Sequence, residues 1–183
     1  MNVPAMAASD PFAMLGLARA FDIDRNALQA AYLRRSAALH PDRIADPIER
    51  DEAQRRAAAL NDARAVLADD EQRANLLLSL MGGPAKEQDK SLPDGFLMDI
   101  LEIRQEMETA IAGGESRERA RIERLANDRR QQHIDAVREL FSSIAPPHAP
   151  SQAPTHAATP SAIRRELNAW RYIERMIEQL RDA

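Results

Sequence analysis

The spacing of proline is the feature that most limits what this chain can fold into. Its eleven prolines are at positions 4, 11, 41, 47, 84, 93, 146, 147, 150, 154 and 160. They leave four long proline-free stretches, and because proline disrupts a helix interior, these stretches are where helices can form. The chain has only six glycines and is rich in alanine, leucine, arginine and glutamate. Since these four side chains lose little rotamer freedom in a helix, the sequence predicts an all-α protein.

The composition excludes several classes of function. The chain has no cysteine, so cysteine-based zinc sites, disulfide frameworks and thiol chemistry are excluded. No apolar run approaches the roughly 20 residues that span a bilayer, and residues 1–9 resemble neither a secretory signal nor a transit peptide. We therefore expect a cytoplasmic bacterial protein that makes no membrane contact.

The charge balance argues against nucleic-acid binding. Residues 1–81 carry 10 basic and 12 acidic side chains, and residues 82–183 carry 15 and 17, so each part has a net charge of -2. A nucleic-acid-binding domain is typically basic, and neither part is. We also expect no cofactor and no bound metal.

The first 80 residues predict four helices. Pro11 begins a short helix, and Asp24 caps a second helix that runs to about Leu39. Apolar residues at three- and four-residue spacing predict a third helix over about 49–68, and Asp69-Asp70 begins a fourth. The second and third helices are the longest of the four, so we expect a helical hairpin flanked by shorter helices.

The tripeptide His40-Pro41-Asp42 lies between the two longest of these helices. Taken alone, it can simply end one helix and begin a turn, since proline disfavours helical backbone at the residue before it. Its position, together with Leu60-Asn61-Asp62-Ala63 in the next helix, resembles the J-domain of DnaJ-type co-chaperones. The resemblance implies that the chain binds the ATP form of a DnaK-type chaperone, a heat shock protein 70, and activates its ATPase.

The J-domain resemblance also implies a role for each residue near the tripeptide. Asp42 would pair with an arginine of the chaperone's ATPase domain, and the histidine and proline before it would hold the loop in place. Three arginines would form a positive face that meets an acidic surface and speeds encounter. These arginines are Arg34, Arg35 and Arg43, the last at a position where the family commonly has lysine. A solvated helix face is the alternative interpretation for each of them.

The second part of the chain predicts a separate helical domain. Residues 82–93 contain glycine and proline and predict a linker between an N-terminal domain, residues 1–81, and a C-terminal bundle, residues 94–183. The bundle is expected to have three helices, the first ending at Gly113-Gly114. Between its last two helices, the proline-rich segment 145–160 predicts an extended, flexible loop.

The first helix of the predicted bundle has apolar residues on two sides. At about 100° per residue, one stripe wide enough to face a core consists of Phe96, Ile100, Ile103, Met107 and Ile111. Leu97, Met98 and Leu101 lie about 125° from the centre of that stripe. Glu102 and Gln105 lie beside them. One helix of a small bundle cannot bury both sides, so we expect one of them to be available to a partner.

The last helix has a similar surplus. Its stripe consists of Ile163, Leu167, Trp170, Ile173 and Ile177, while Tyr172 and Met176 are expected on the opposite side. Apolar groups left over on two helices suggest a composite binding surface, because contiguous exposed apolar area is usually functional. The alternative is that the N-terminal domain or a second copy of the chain covers them. His133, on the middle helix, is expected at the edge of the core.

The segment Phe96–Arg104, which follows Arg73–Leu80, resembles the HscB family of iron-sulfur-cluster co-chaperones. In that family a J-domain joins a three-helix C-terminal bundle in an L shape, and the bundle delivers the scaffold protein IscU to the DnaK-type chaperone HscA. The resemblance implies a scaffold-binding site made of Leu97, Met98, Leu101, Glu102, Gln105 and Tyr172. The chain departs from the family at Leu76, where tyrosine is common, and at Gln105, where an acidic residue is common.

Three functions are compatible with these features. The favoured one is a non-enzymatic adaptor that binds a chaperone and a scaffold protein. The second is a general J-domain protein whose helical tail dimerises or binds an unrelated client. The third is a small helical hydrolase that uses His40 and Asp42, which the lack of a second histidine nearby disfavours.

Overall fold

The structure is a computed structural model that describes residues 10–38, 46–113, 116–144 and 160–182. All regular secondary structure in these ranges is helical, which confirms the predicted all-α class. The seven helices are α1 (Pro11–Leu15), α2 (Arg25–Ala37), α3 (Pro47–Ala68), α4 (Asp70–Leu80), α5 (Phe96–Gly113), α6 (Ser116–Ser143) and α7 (Pro160–Asp182). No helix in the described part of the chain is both long and apolar enough to span a bilayer.

The chain divides into two compact units, Met1–Leu77 and Leu78–Ala183. We call them the N-terminal and the C-terminal unit. The division falls four residues before the boundary expected at residue 81. The assignment of a J-domain to the first unit and a scaffold-binding bundle to the second stays a prediction. Residues 145–159, most of the expected flexible loop, lie outside the described residues.

Aspartate side chains set the starts of the helices in the N-terminal unit. Asp10 accepts a hydrogen bond from the Phe12 amide at 3.0 Å, and Asp24 accepts one from the Asn26 amide at 2.7 Å. Each carboxylate satisfies an amide that the first turn of a helix leaves unpaired. Asp46 does the same for α3, which therefore begins two residues before the predicted residue 49.

A buried arginine joins three parts of the N-terminal unit. Arg73, on α4, is 6% exposed. Its guanidinium donates to the carbonyl oxygens of Phe21 and Leu67 and to the Asp70 carboxylate, each at 2.6 Å. It also lies 5.3 Å from the centroid of the Phe21 ring. Because these groups satisfy most of its donors, the charge can be buried at the junction of α3, α4 and the loop after α1.

In the C-terminal unit, α7 packs against both α5 and α6. The main apolar cluster draws on all three helices and consists of Phe96, Ile100, Ile103, Met107, Ala110, Ile122, Ala126, Ala169, Ile173, Met176, Ile177 and Leu180. The expectation that Met176 is left over was wrong, since its side chain is buried. The predicted apolar stripe of α7 describes one buried side of the helix. Because α7 packs against both α5 and α6, a second side that includes Met176 is buried as well. Tyr172 is partly buried against the same cluster.

The segment between α4 and α5, expected to be a linker, is fastened to the C-terminal unit by α7. The Nε of the buried Arg164 donates to the carbonyl oxygen of Pro84 at 2.9 Å. The side-chain amide of Asn168 donates to the carbonyl oxygens of Asp89 at 3.0 Å and Ser91 at 2.9 Å. These bonds hold the backbone that leads into the start of α5.

Candidate partner-binding surface

Helix α5 buries one of its two apolar sides and exposes the other. Phe96, Ile100 and Ile103 are buried, together with Met107 and Ala110. Leu97 is 62% exposed, Met98 76% and Leu101 61%. We call these three side chains the α5 patch. Their separation from the buried stripe follows from the helical period, because positions 97, 98 and 101 point away from the side that faces α6 and α7.

Polar side chains border the α5 patch. Glu102 and Gln105, both predicted as site residues, are exposed on the same helix. Glu102 is one residue from Leu101, and Gln105 is one helical turn beyond it, so both lie at the edge of the patch. An apolar centre with a polar border is the usual composition of a protein–protein contact.

Tyr172 reaches α5 from α7 through two contacts. Its ring meets the Phe96 ring edge-on, with 5.6 Å between centroids and an interplanar angle of 86°. Its hydroxyl accepts a hydrogen bond from the Arg104 guanidinium at 3.1 Å. Arg104 is one helical turn from Leu101, on the same side of α5. The structure therefore packs the predicted Tyr172 against α5, the helix that carries the patch.

Arg104 is a site residue that the sequence reasoning did not single out. The hydrogen bond to the Tyr172 hydroxyl, and then the one to Glu108, hold the pKa of Arg104 above its ordinary value. An arginine is charged at neutral pH without this shift, and its guanidinium places a positive charge beside the patch. A polar residue within an apolar surface gives no hydropathy signal, but its spacing of three and seven residues from Leu101 and Leu97 could have located it.

His133 lies at the edge of the core, as expected. It is half-buried, and its Nδ1 is 2.7 Å from the Glu166 carboxylate. The ring meets Phe96 edge-on, with 5.4 Å between centroids. These contacts support the position of Phe96 at the start of α5. They give the histidine a structural role in the described part of the chain.

In the N-terminal unit, the described residues place only part of the predicted chaperone-binding set. Arg34 and Arg35 are exposed in the last turn of α2. The Arg35 guanidinium lies beside Gly16, where an added Cβ would come within 3.0 Å of its Nη2. The remaining four residues, His40, Pro41, Asp42 and Arg43, lie outside the described residues, in the part of the chain that connects α2 to α3.

The known proteins and the family model that this chain resembles all carry the name HscB. Residues 92–181 match the family model described as HSCB C-terminal oligomerisation domain. A protein named Co-chaperone protein HscB homolog from Azoarcus sp. (strain BH72) is 32% identical over 177 residues, which cover 95% of this chain and 93% of the relative. A relative of the same name from Vibrio cholerae serotype O1 (strain M66-2) is 38% identical over 104 residues, 55% of this chain and 61% of the relative. In this and two further matches the chain spans about three fifths of the relative's length.

Two solved structures share the fold. The crystal structure of human co-chaperone protein HscB superposes with a TM-score of 0.75 at 20% identity, covering 99% of this chain and 84% of the human one. Chaperone HscB from Vibrio cholerae gives a TM-score of 0.71 at 20% identity, covering 94% of this chain and 96% of that chain. Because both solved structures are only 20% identical to this chain, the likeness shows a common fold alone.

Proposed function

Since the chain belongs to the HscB family of co-chaperones, we propose that it is an adaptor with two binding surfaces. One surface binds an IscU-type iron-sulfur scaffold protein, and the other binds a DnaK-type chaperone of the HscA kind. By delivering the scaffold protein and stimulating the chaperone's ATPase, the adaptor assists cluster assembly and transfer. The chemistry takes place in the partner, and the adaptor itself is not an enzyme. We place it in the bacterial cytoplasm.

The observation that carries the scaffold-binding half of this proposal is the exposure of the α5 patch. Fully burying a leucine or methionine side chain contributes about 1.5–3 kcal/mol. Three such side chains on one side of a helix therefore supply enough apolar area for the centre of a specific contact. Around that centre, Glu102, Gln105 and Tyr172 provide polar groups for orientation.

The chaperone-binding half is supported by the end of α2. Arg34 and Arg35 are exposed there, and the chain continues from this end into His40-Pro41-Asp42. We infer that the two arginines attract an acidic surface of the chaperone and that Asp42 pairs with one of its arginines. Arg43 adds a further positive charge on the other side of the tripeptide.

Replacing all three patch residues, Leu97→Ala, Met98→Ala and Leu101→Ala, tests the scaffold-binding half. We expect the affinity for an IscU-type scaffold protein, measured by calorimetry, to fall by about 100-fold or more, because most of the buried apolar area is lost. Stimulation of the chaperone's ATPase in the absence of scaffold should be unchanged. Leu33→Ala is a matched control, since Leu33 is 54% exposed but belongs to the N-terminal unit. Unchanged scaffold affinity in the triple variant would contradict the proposal.

Self-association is a second candidate role for the α5 patch. It is favoured by the description of the matching family model as an oligomerisation domain. In that case a second copy of the chain covers the patch, and the same triple variant separates the two roles. Sedimentation equilibrium of the wild type would show a dimer that the triple variant loses. A wild-type monomer that binds scaffold protein would leave the adaptor role alone.

A further inference from the structure

We propose that a shallow pocket between α5 and α7 receives a carboxylate side chain of the protein that covers the α5 patch. The pocket has a volume of about 140 Å³ and is lined by Arg104, Tyr172, Arg175, Met176 and Gln179. The inference rests on the proposed function, because it names a chemical group of the partner that binds the patch. Within that function, it assigns a role to Arg175 and Gln179.

Two guanidiniums contribute to this pocket, and neither is fully neutralised. Arg175 is exposed, and no ion pair joins it to any of the described residues. Arg104 contacts the Glu108 carboxylate only at 3.4 Å and gives another donor to the Tyr172 hydroxyl. By contrast, Arg121 lies 2.5 Å from Glu106, and Arg130 lies 3.1 Å from Glu174. The pocket therefore keeps positive charge in a chain whose net charge is -4.

The lining suits a carboxylate on a short aliphatic stem. Guanidinium groups bind carboxylates through directed, charge-assisted hydrogen bonds. The Gln179 amide can add a further donor, and the Met176 side chain and the Tyr172 ring offer apolar contact to methylene groups. A glutamate or aspartate of the partner has this combination. An extended polyanion is disfavoured, because Glu108 lies 3.4 Å from Arg104 on α5.

The pocket and the α5 patch are continuous through Arg104. This residue lines the pocket, and it follows Leu101 by one turn and Leu97 by two turns on the same side of α5. A protein surface that covers the patch therefore reaches the pocket without a second binding segment. The partner's acidic side chain would fix the orientation in which the apolar contact forms.

Arg175→Gln tests the inference, with an IscU-type scaffold protein as the probe. We expect calorimetry at low salt to show about three- to tenfold weaker binding than wild type, since a charged pair at the edge of an interface contributes modestly. The difference should shrink as added salt screens the lost pair. Arg175→Glu should weaken binding further. Arg124→Gln is the matched control, because Arg124 is exposed on α6 with no ion pair among the described residues.

The α5 patch variant distinguishes failure of this inference from failure of the proposed function. If the triple alanine variant loses scaffold binding but Arg175→Gln and Arg175→Glu bind like wild type, the pocket has no role and the inference is overturned. If the triple variant itself binds like wild type, the proposed function fails, and the inference fails with it. An equal loss of binding in Arg124→Gln and Arg175→Gln would also overturn the inference, since it would show a general charge effect.

Discussion

The N-terminal and C-terminal units differ in the size of the side chains that fill their cores. Small side chains supply much of the N-terminal helix packing, and the buried alanines there are Ala31, Ala53, Ala63 and Ala74. The unit adds Arg73, whose hydrogen bonds join α4 to backbone carbonyls. The C-terminal unit also buries an arginine, Arg164, that donates to a backbone carbonyl. Its main cluster, however, consists mostly of large apolar side chains around Ile173.

The surfaces proposed for partner binding on the two units also differ. The N-terminal unit presents Arg34 and Arg35 in the last turn of α2, whereas the C-terminal unit presents the α5 patch. The two proposed contacts should therefore respond to different variables. Salt should affect the first contact most, and removal of apolar area should affect the second.

The largest expected effect is on the stability of the C-terminal unit. Ile173 is fully buried in its apolar cluster, so Ile173→Ala should lower the free energy of unfolding by about 3–5 kcal/mol through lost burial and a cavity. The chain has a single tryptophan, Trp170, which is buried in this unit. Urea unfolding followed by its fluorescence measures the change. Ile48→Ala, at a side chain 73% exposed, should change it by less than about 0.5 kcal/mol.

A smaller effect is expected from Arg73→Met in the N-terminal unit. The substitution leaves the carbonyl oxygens of Phe21 and Leu67 without their buried donor, and the expected loss is about 2–3 kcal/mol. Circular dichroism should show an earlier loss of helix than in the wild type. Arg55→Met is the control, because Arg55 makes only an exposed pair with Asp51. An unchanged transition by circular dichroism would contradict this role of Arg73.

The smallest expected effect concerns the charged surface of α2. Arg34→Gln should raise the concentration of adaptor needed for half-maximal stimulation of the chaperone's ATPase by about two- to fivefold at low salt. The difference between variant and wild type should disappear at high salt, because screening then removes the electrostatic attraction to the chaperone in both of them. Arg56→Gln, which alters an arginine paired with Glu52 on α3, should have no effect. A loss that persists at high salt would show that the contact is not chiefly electrostatic.

The α5 patch could be predicted from the sequence because its signal is local. Leu97 and Leu101 lie on the same side of one helix, and the helical period alone separates them from Phe96 and Ile100. Met176 was assigned wrongly because burial depends on how many neighbours a helix has. That information is not present in the periodicity of α7.

Long-range polar contacts could not be predicted from the sequence. Arg73 donates to a carbonyl 52 residues away, and Arg164 donates to one 80 residues away. Every residue has a backbone carbonyl, so the sequence does not indicate which one accepts a hydrogen bond from an arginine. Both arginines therefore look like ordinary surface charges. For the same reason, the fastening of the α4–α5 segment by Asn168 was not anticipated. The pocket at Arg175 depends on the pairing of α5 with α7 and was missed as well.

The α5 patch also has a consequence for how much of this protein a cell can hold. Apolar side chains of this size on an uncovered helix lower solubility whenever the chain outnumbers the molecules that shield it. Glu102 and Arg104 place charge beside the patch, and this charge partly opposes aggregation of the chains whose patch is uncovered. Under the proposed function, overproduction of this chain alone should therefore yield more insoluble material than its production together with the scaffold protein.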